Sequence, residues 1–191
     1  MVGTRSTVDE TQVRDWMAAY QGGSLEAFEL LYRSLSPILR QYLLVLTRDP
    51  TKAEDLLQDA FLQIHRSRHT YDAAQPLLPW VFAVTRNVFL MDARAARRRF
   101  AKDHVPETET ELPIPPEAES LADRLQVRHA LQQVRSERRE ALLLHHVWGL
   151  SFREIARMLG IRESAAKLRS SRGMADLRVL LADTRVQESI R

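Results

Sequence analysis

Cysteine is missing from all 191 residues. That excludes disulfides and thiolate metal sites, and it fits a reducing cytosol. No apolar run is long enough to span a bilayer, and the N-terminal MVGTRSTVDE has no signal-peptide pattern. A cytoplasmic protein without direct membrane insertion is expected. No segment alternates apolar and polar residues as a half-buried strand would, so the expected fold class is all-α. Serines and aspartates are scattered, with neither a nucleophile elbow nor a phosphate loop. His65 and His69 have the four-residue helical spacing that can hold a metal, but no Glu lies between them. His145 and His146 are adjacent and would diverge on a helix. Neither pair reads as a metal site. The expectation is a protein that is not an enzyme, with no cofactor, no metal and no small-molecule substrate.

What is present is unevenly distributed. The net charge is only +3, yet residues 1–100 carry 13 basic against 11 acidic side chains. Residues 101–119 carry 1 against 6, and residues 120–191 carry 14 against 8. The acidic stretch also holds Pro106, Pro113, Pro115 and Pro116, half of the eight prolines. Proline blocks helix continuation and like charges repel, so 101–119 reads as an extended, flexible linker. It separates two small helical domains, 1–100 and 120–191. A hydrophobic content of 45% lets each bury a core. The two basic blocks suit a polyanionic partner better than the whole-chain charge implies.

The first domain reads as a succession of helices. Val13, Trp16, Met17 and Tyr20 keep helical spacing, and Gly22-Gly23 stops them. Ser24 caps a second helix with Ala27, Phe28, Leu31 and Tyr32 on one face, and Ser36-Pro37 is expected to restart another. Asp49-Pro50 opens TKAEDLLQDAFLQIHRSR, which buries Ala53, Leu56, Leu57, Ala60, Phe61 and Ile64 and turns Glu54, Asp55, Gln58 and Asp59 outward. After the loop HTYDAAQPLLP, a last helix starts apolar and ends in Arg94, Arg97, Arg98 and Arg99. In the second domain, helices are predicted near 120–135, 137–148, 152–158 and 163–181.

The segment SFREIARMLGIRESAAKLRSSR, 151–172, is the most specific feature. Ser151 and Glu154 form a capping box. Phe152, Ile155, Ala156 and Leu159 make a buried face, Gly160 supplies the turn, and a basic helix starts near Glu163. Two short helices around a tight turn make a helix-turn-helix, whose second helix enters the major groove of DNA. Arg162, Lys167, Arg169 and Arg172 favour that over an ordinary helical hairpin.

With both halves in view, the chain resembles a known family. AEDLLQDAF at 53–61, PW at 79–80, RN at 86–87 and the arginine-rich helix end look like region 2 of extracytoplasmic-function (ECF) sigma factors, bacterial RNA polymerase sigma factors of the sigma-70 type. The stretch from Leu131 to Leu177 looks like their region 4. The resemblance implies that Glu54, Asp55, Gln58 and Asp59, by themselves readable as a solvated face, dock on core RNA polymerase. It implies that Tyr71, Trp80 and Asn87, otherwise readable as core, capture an unstacked base of the AT-rich minus-10 promoter element. Arg86, Arg94, Arg97, Arg98 and Arg99 would meet phosphates. In the second domain Lys167, Leu168, Ser171 and Arg172 would face the groove of the minus-35 element, with Arg162 and Arg169 on phosphates.

The resemblance further implies an anti-sigma factor as partner, the cytosolic part of a membrane protein. Its candidate contacts are Leu57, Phe61 and Ile64 in the first domain and Leu142, His145 and Trp148 in the second. The recognition helix departs from the family pattern at Ser164-Ala165-Ala166, Ser170 and Gly173. These changes should shrink its buried face, and a mid-helix glycine costs about 1 kcal/mol against alanine. Other readings compatible with the residues are an autonomous helix-turn-helix regulator with a sensing N-terminal domain and a helical adaptor that binds only protein.

Overall fold

The computed structural model describes residues 8–99 and 121–189, without the side chains of 99, 121–124 and 183–189. The expected linker at 101–119 and the Arg99 side chain therefore lie outside the described residues. The rest falls into two compact units, one on either side of that gap, and both are helical. The first holds α1 (Glu10–Gln21), α2 (Leu25–Thr47), α3 (Pro50–Ser67) and α4 (Leu77–Arg99), with a short 3-10 turn at Arg68–Thr70. The second holds α5 (Leu121–Gln133), α6 (Ser136–His146), α7 (Phe152–Leu159) and α8 (Glu163–Ser189). No strand occurs among the described residues.

Helix starts follow local chemistry. Asp9, Ser24 and Asp49 each accept backbone N–H bonds from the first turn of α1, α2 and α3. Such caps satisfy donors that have no partner within the helix, each worth about 1 kcal/mol. One expectation fails. Ser36-Pro37 does not restart a helix: α2 runs unbroken through Pro37 for 23 residues. Proline inside a helix removes a hydrogen bond and costs about 3 kcal/mol. Here the ring is exposed, while Leu31, Leu35, Ile38, Leu39 and Tyr42 stay buried on one face across it. Burying a large apolar side chain yields about 1.5–3 kcal/mol, so that continuous face outweighs the local defect.

In the first unit α2 and α3 pack side by side and α4 closes the core. The Tyr42 and Phe82 rings meet edge-on at 5.0 Å, joining α2 to α4. Helix α1 fastens the segment between α3 and α4 by polar side chains. Gln21 Nε2 donates to the carbonyls of Arg68 (2.7 Å) and Tyr71 (2.9 Å). Arg14 Nη2 donates to the Ala73 carbonyl at 2.5 Å, and Glu10 accepts the Leu77 N–H. Helix α4 thus begins at Leu77, two residues earlier than the Pro79-Trp80 pair suggested, with Leu77 and Leu78 buried.

The second unit is organised by α6, which packs against α7 and α8. Arg139 is only 1% exposed, and its Nη1 donates to the carbonyls of Leu131, Gln132 and Val134 at 3.1–3.3 Å. A buried guanidinium here satisfies carbonyls at the end of α5 that have no helical partner. Arg138 reaches both carboxylate oxygens of Asp176 at 2.8 and 3.1 Å, tying α6 to α8.

The contact face of α8 is a stripe of Ala166, Ser170, Gly173 and Leu177, all buried. A Cβ on Gly173 would meet the Arg138 carbonyl oxygen at 2.9 Å. The expectation that these small residues weaken the helix's packing is therefore incomplete. They shorten the distance between α6 and α8, and the glycine is what the close approach requires.

Candidate nucleic-acid interface

The helix-turn-helix forms as its punctuation dictates. Ser151 N–H donates to Glu154 Oε2 at 2.7 Å, and Glu154 N–H donates to Ser151 Oγ at 3.3 Å, completing the capping box. Gly160 closes α7 with φ 67°, a left-handed conformation that favours glycine, and its N–H bonds the carbonyls of Ala156 and Arg157. The Ile161 N–H bonds Ala156 at 3.0 Å, and the Arg162 carbonyl accepts from Ala165 and Ala166 to start α8. Turn and caps thus set how the second helix leaves the first.

On α8 the side opposite the buried stripe is open. Lys167, Leu168, Ser171 and Arg172 are exposed, as is Arg162 ahead of the helix. Leu168 is 48% exposed. Arg169 lies at the margin, half-buried, with Nη2 3.8 Å from Glu137. That pair is long and open to solvent, so it holds the arginine only weakly.

In the first unit, α3 presents Glu54, Asp55, Gln58 and Asp59 to solvent, while Leu56, Leu57, Ala60 and Phe61 are buried behind them. Glu54 pairs with Arg40 of α2 at 3.1 Å. Beside this pair an open groove of about 330 Å³ lies between α2 and α3, lined by Tyr32, Pro37, Arg40 and Leu57 among others. At the far end of α4, Arg94, Arg97 and Arg98 are exposed. Lys52 Nζ bonds Asp92 at 2.6 Å and anchors that helix to α3. Asn87 is exposed, and Trp80 and Arg86 are half-buried.

Tyr71 departs from its expected role. It is 5% exposed, its hydroxyl donates to the Gln75 carbonyl at 2.6 Å, and its ring packs 5.5 Å from Trp80 at a tilt of 54°. A ring enclosed in this way offers no face to a base; it supports Trp80 from behind. Burial also pushes the Tyr71 hydroxyl pKa up, partly offset by the positive charge of Arg14.

Comparison with known proteins assigns the family. Residues 31–99 match the family model for sigma-70 region 2, and residues 124–177 match that for sigma-70 region 4. The chain is 33% identical to the RNA polymerase sigma factor CarQ of Myxococcus xanthus over 171 residues, covering 90% of this chain and 98% of CarQ. It is 32% identical to the ECF RNA polymerase sigma factor SigL of Mycobacterium tuberculosis, covering 80% and 88%. The chain belongs to the ECF sigma factors.

Among solved structures, this sigma factor is similar to RpoE of Bartonella quintana, crystallised with the anti-sigma factor NepR. The TM-score is 0.69 and the identity 26%, over 83% of this chain and 98% of that one. CnrH, solved with the cytosolic domain of CnrY, has the same fold at 23% identity, with a TM-score of 0.64 over 90% and 98% of the two chains. A sigma factor gives RNA polymerase its promoter specificity, so core polymerase and promoter DNA are its partners. No described helix is long and apolar enough to cross a membrane.

Several residues of this sigma factor had no signal in the sequence. Glu10, Arg14 and Gln21 look like the solvated face of α1, yet they hold the chain leading into α4, and they precede the matched region 2 segment. Others are buried where an exposed contact was expected. Leu57, Phe61, Ile64, Leu142 and Trp148 are at most 6% exposed and belong to the two cores. His145 is half-buried, stacked 4.0 Å from Phe152, and its Nδ1 donates to the Leu150 carbonyl at 2.8 Å. Nor do His145 and His146 diverge: their rings meet edge-on at 4.8 Å. His65 is 2.5 Å from the Tyr20 hydroxyl, which gives it a structural partner.

Proposed function

We propose that this sigma factor divides its work between the two units, with 101–119 as the connector. Residues 1–100 dock on core polymerase through Glu54, Asp55, Gln58 and Asp59. They open the minus-10 element with Trp80, Arg86 and Asn87, while Arg94, Arg97 and Arg98 hold phosphates. Residues 120–191 read the minus-35 element through Lys167, Leu168, Ser171 and Arg172, with Arg162 and Arg169 on the backbone. The protein acts by binding, in the cytoplasm, without catalysis of its own.

The observation that carries this reading is the segregation of exposed charge. An acidic face on α3 and a cationic end on α4 share one unit, and the helix-turn-helix of the other turns cations outward. Acidic side chains repel phosphates and suit a basic protein surface, whereas the arginines suit DNA. Control by an anti-sigma factor, the cytosolic part of a membrane protein, is part of the proposal. It draws on the family and on the RpoE–NepR complex. Apolar side chains open to such a partner include Leu25, Tyr32, Leu62 and Met91 in the first unit and Leu125 and Val179 in the second, rather than the buried residues named above.

The test is transcription by purified core polymerase, with and without this chain, on a genomic promoter library. Initiation at a discrete set of two-element promoters only when the chain is present is the expected result. Tight sequence-specific binding by the free chain, with no effect on polymerase, would overturn it.

A further inference from the structure

We infer that Leu168 is a specificity-determining residue that reads the C5-methyl group of a thymine in the major groove. The inference deepens the proposal that α8 reads promoter DNA and rests on it. Its starting point is the direction of the side chain. Successive residues of a helix are turned by about 100°. Ala166, Ser170, Gly173 and Leu177 mark the buried side of α8. The line diametrically opposite runs through Ser164, Leu168, Ala175 and Val179, with Ser171 close beside it, and all five are exposed. Lys167 and Arg172 flank this line on its two sides.

The outermost line of a recognition helix is the part that goes deepest into the groove. Over the first turns of α8, the part of a recognition helix that meets base edges, it consists of one large apolar side chain among small ones, and Val179 follows only three turns further on. Ser164, Ser171 and Ala175 let the helix approach closely, and Leu168 is what then protrudes. A single exposed leucine is ordinary on a protein surface. At this position, though, it cannot serve the core, which lies on the far side of the helix. It has no donor or acceptor, so it gains nothing from phosphates or from the polar edges of bases. Among the four bases, thymine presents an apolar group in the major groove, and apolar side chains discriminate it by contact with that methyl. The flanking cations can engage polar base edges or phosphates while Leu168 is pressed against the groove floor. The ligand class is therefore a thymine-containing base pair within the minus-35 element.

The test uses holoenzyme reconstituted from core polymerase and the full chain, on its strongest library promoter. Each thymine of the minus-35 element, on either strand, is replaced singly by deoxyuridine, which removes only the methyl group. At one position this should weaken holoenzyme binding about fourfold, the factor expected from losing one buried methyl-sized group. Leu168→Ala, at an exposed site, should bind the thymine and uracil duplexes equally. Leu168→Gln should shift the preference at that position toward adenine, the base whose edge an amide pairs with. Wild-type indifference to every uracil would overturn the inference. So would an element without thymine, or a Leu168→Ala variant that keeps the methyl dependence. If the holoenzyme uses no promoter at all, the reading of α8 as a DNA reader falls, and this inference falls with it.

Discussion

Gly173 faces Arg138 so closely that a Cβ at 173 would come 2.9 Å from the Arg138 carbonyl oxygen and 3.3 Å from a methyl group of Leu142. Propensity alone would make Gly173→Ala stabilising by about 1 kcal/mol. The close approach reverses the sign, because backbone cannot swing aside as a flexible side chain can. Overpacking of this kind costs about 1–3 kcal/mol. Gly173→Ala should therefore lower the melting temperature of the second unit in a thermal melt of the full chain. A rise would show that α8 can move away from α6 at little cost.

Asp55→Arg combined with Asp59→Arg should weaken binding to core polymerase without altering the thermal melt. Both side chains are exposed, and the buried side of α3 is carried by Leu56, Leu57 and Ala60. Surface substitutions of this kind change stability by about 0.5 kcal/mol or less. Unchanged polymerase affinity in a pull-down or by anisotropy would remove α3 from the docking role.

Lys167→Ala and Arg172→Ala should lower promoter-specific initiation while polymerase binding stays normal. A base-edge contact is worth about 1–3 kcal/mol, so each variant should also relax preference at one promoter position. A variant that instead loses affinity uniformly across sequences, with a shallower salt dependence, would be contacting phosphate. Sequencing of transcripts from a randomised promoter pool separates the two.

Gln21→Ala should loosen the chain between α3 and α4. It removes two side-chain bonds, to the carbonyls of Arg68 and Tyr71. Each such bond contributes about 1 kcal/mol net. Amide hydrogen exchange should speed up in residues 71–77 while α2 and α3 are unaffected. Protection unchanged in that segment would show that the buried side chains of Tyr71 and Leu77 hold it without help from α1.

The chain should lose stability in alkali through two tyrosines. Burial raises the hydroxyl pKa of Tyr20 and of Tyr71 above the ordinary value of 10.0, with Arg68 and Arg14 each opposing part of the rise. A raised pKa means that the folded state favours the protonated form. That stability is complete below the unfolded pKa and is lost as pH climbs through the folded one. Melting temperatures should fall above about pH 10. Tyr71→Phe should flatten that fall, although it costs the bond to the Gln75 carbonyl at neutral pH. A parallel fall in the variant would assign the alkaline loss to other groups.

The helices of this sigma factor were legible in the sequence because their determinants are local. Ser24, Asp49 and the Ser151–Glu154 pair satisfy donors within three residues of themselves, and Gly160 meets a backbone angle at its own position. The exposed face of α3 was legible too, since helical period separates it from the buried side without knowledge of any neighbour; for α8, whose buried side is Ala166, Ser170 and Gly173, the family resemblance supplied the exposed face.

What only the tertiary structure decided depends on partners distant in sequence. Pro37 reads as a break, and the long apolar face packed on α3 and α4 overrides it. Gly173 reads as a weakness until the Arg138 carbonyl, 35 residues earlier, is seen against it. Tyr71 reads either as core or, by the resemblance, as a base-capturing aromatic, and the fold decides for core by placing its hydroxyl on Gln75 and its ring against Trp80. Arg14 and Gln21 read as solvated until the segment near residues 68–73, some fifty residues on, brings its carbonyls to them. Local pattern specifies which elements form and which side of each is wet. Steric fit and the pairing of buried polar groups are settled between elements, and no window of sequence contains both halves of such a contact.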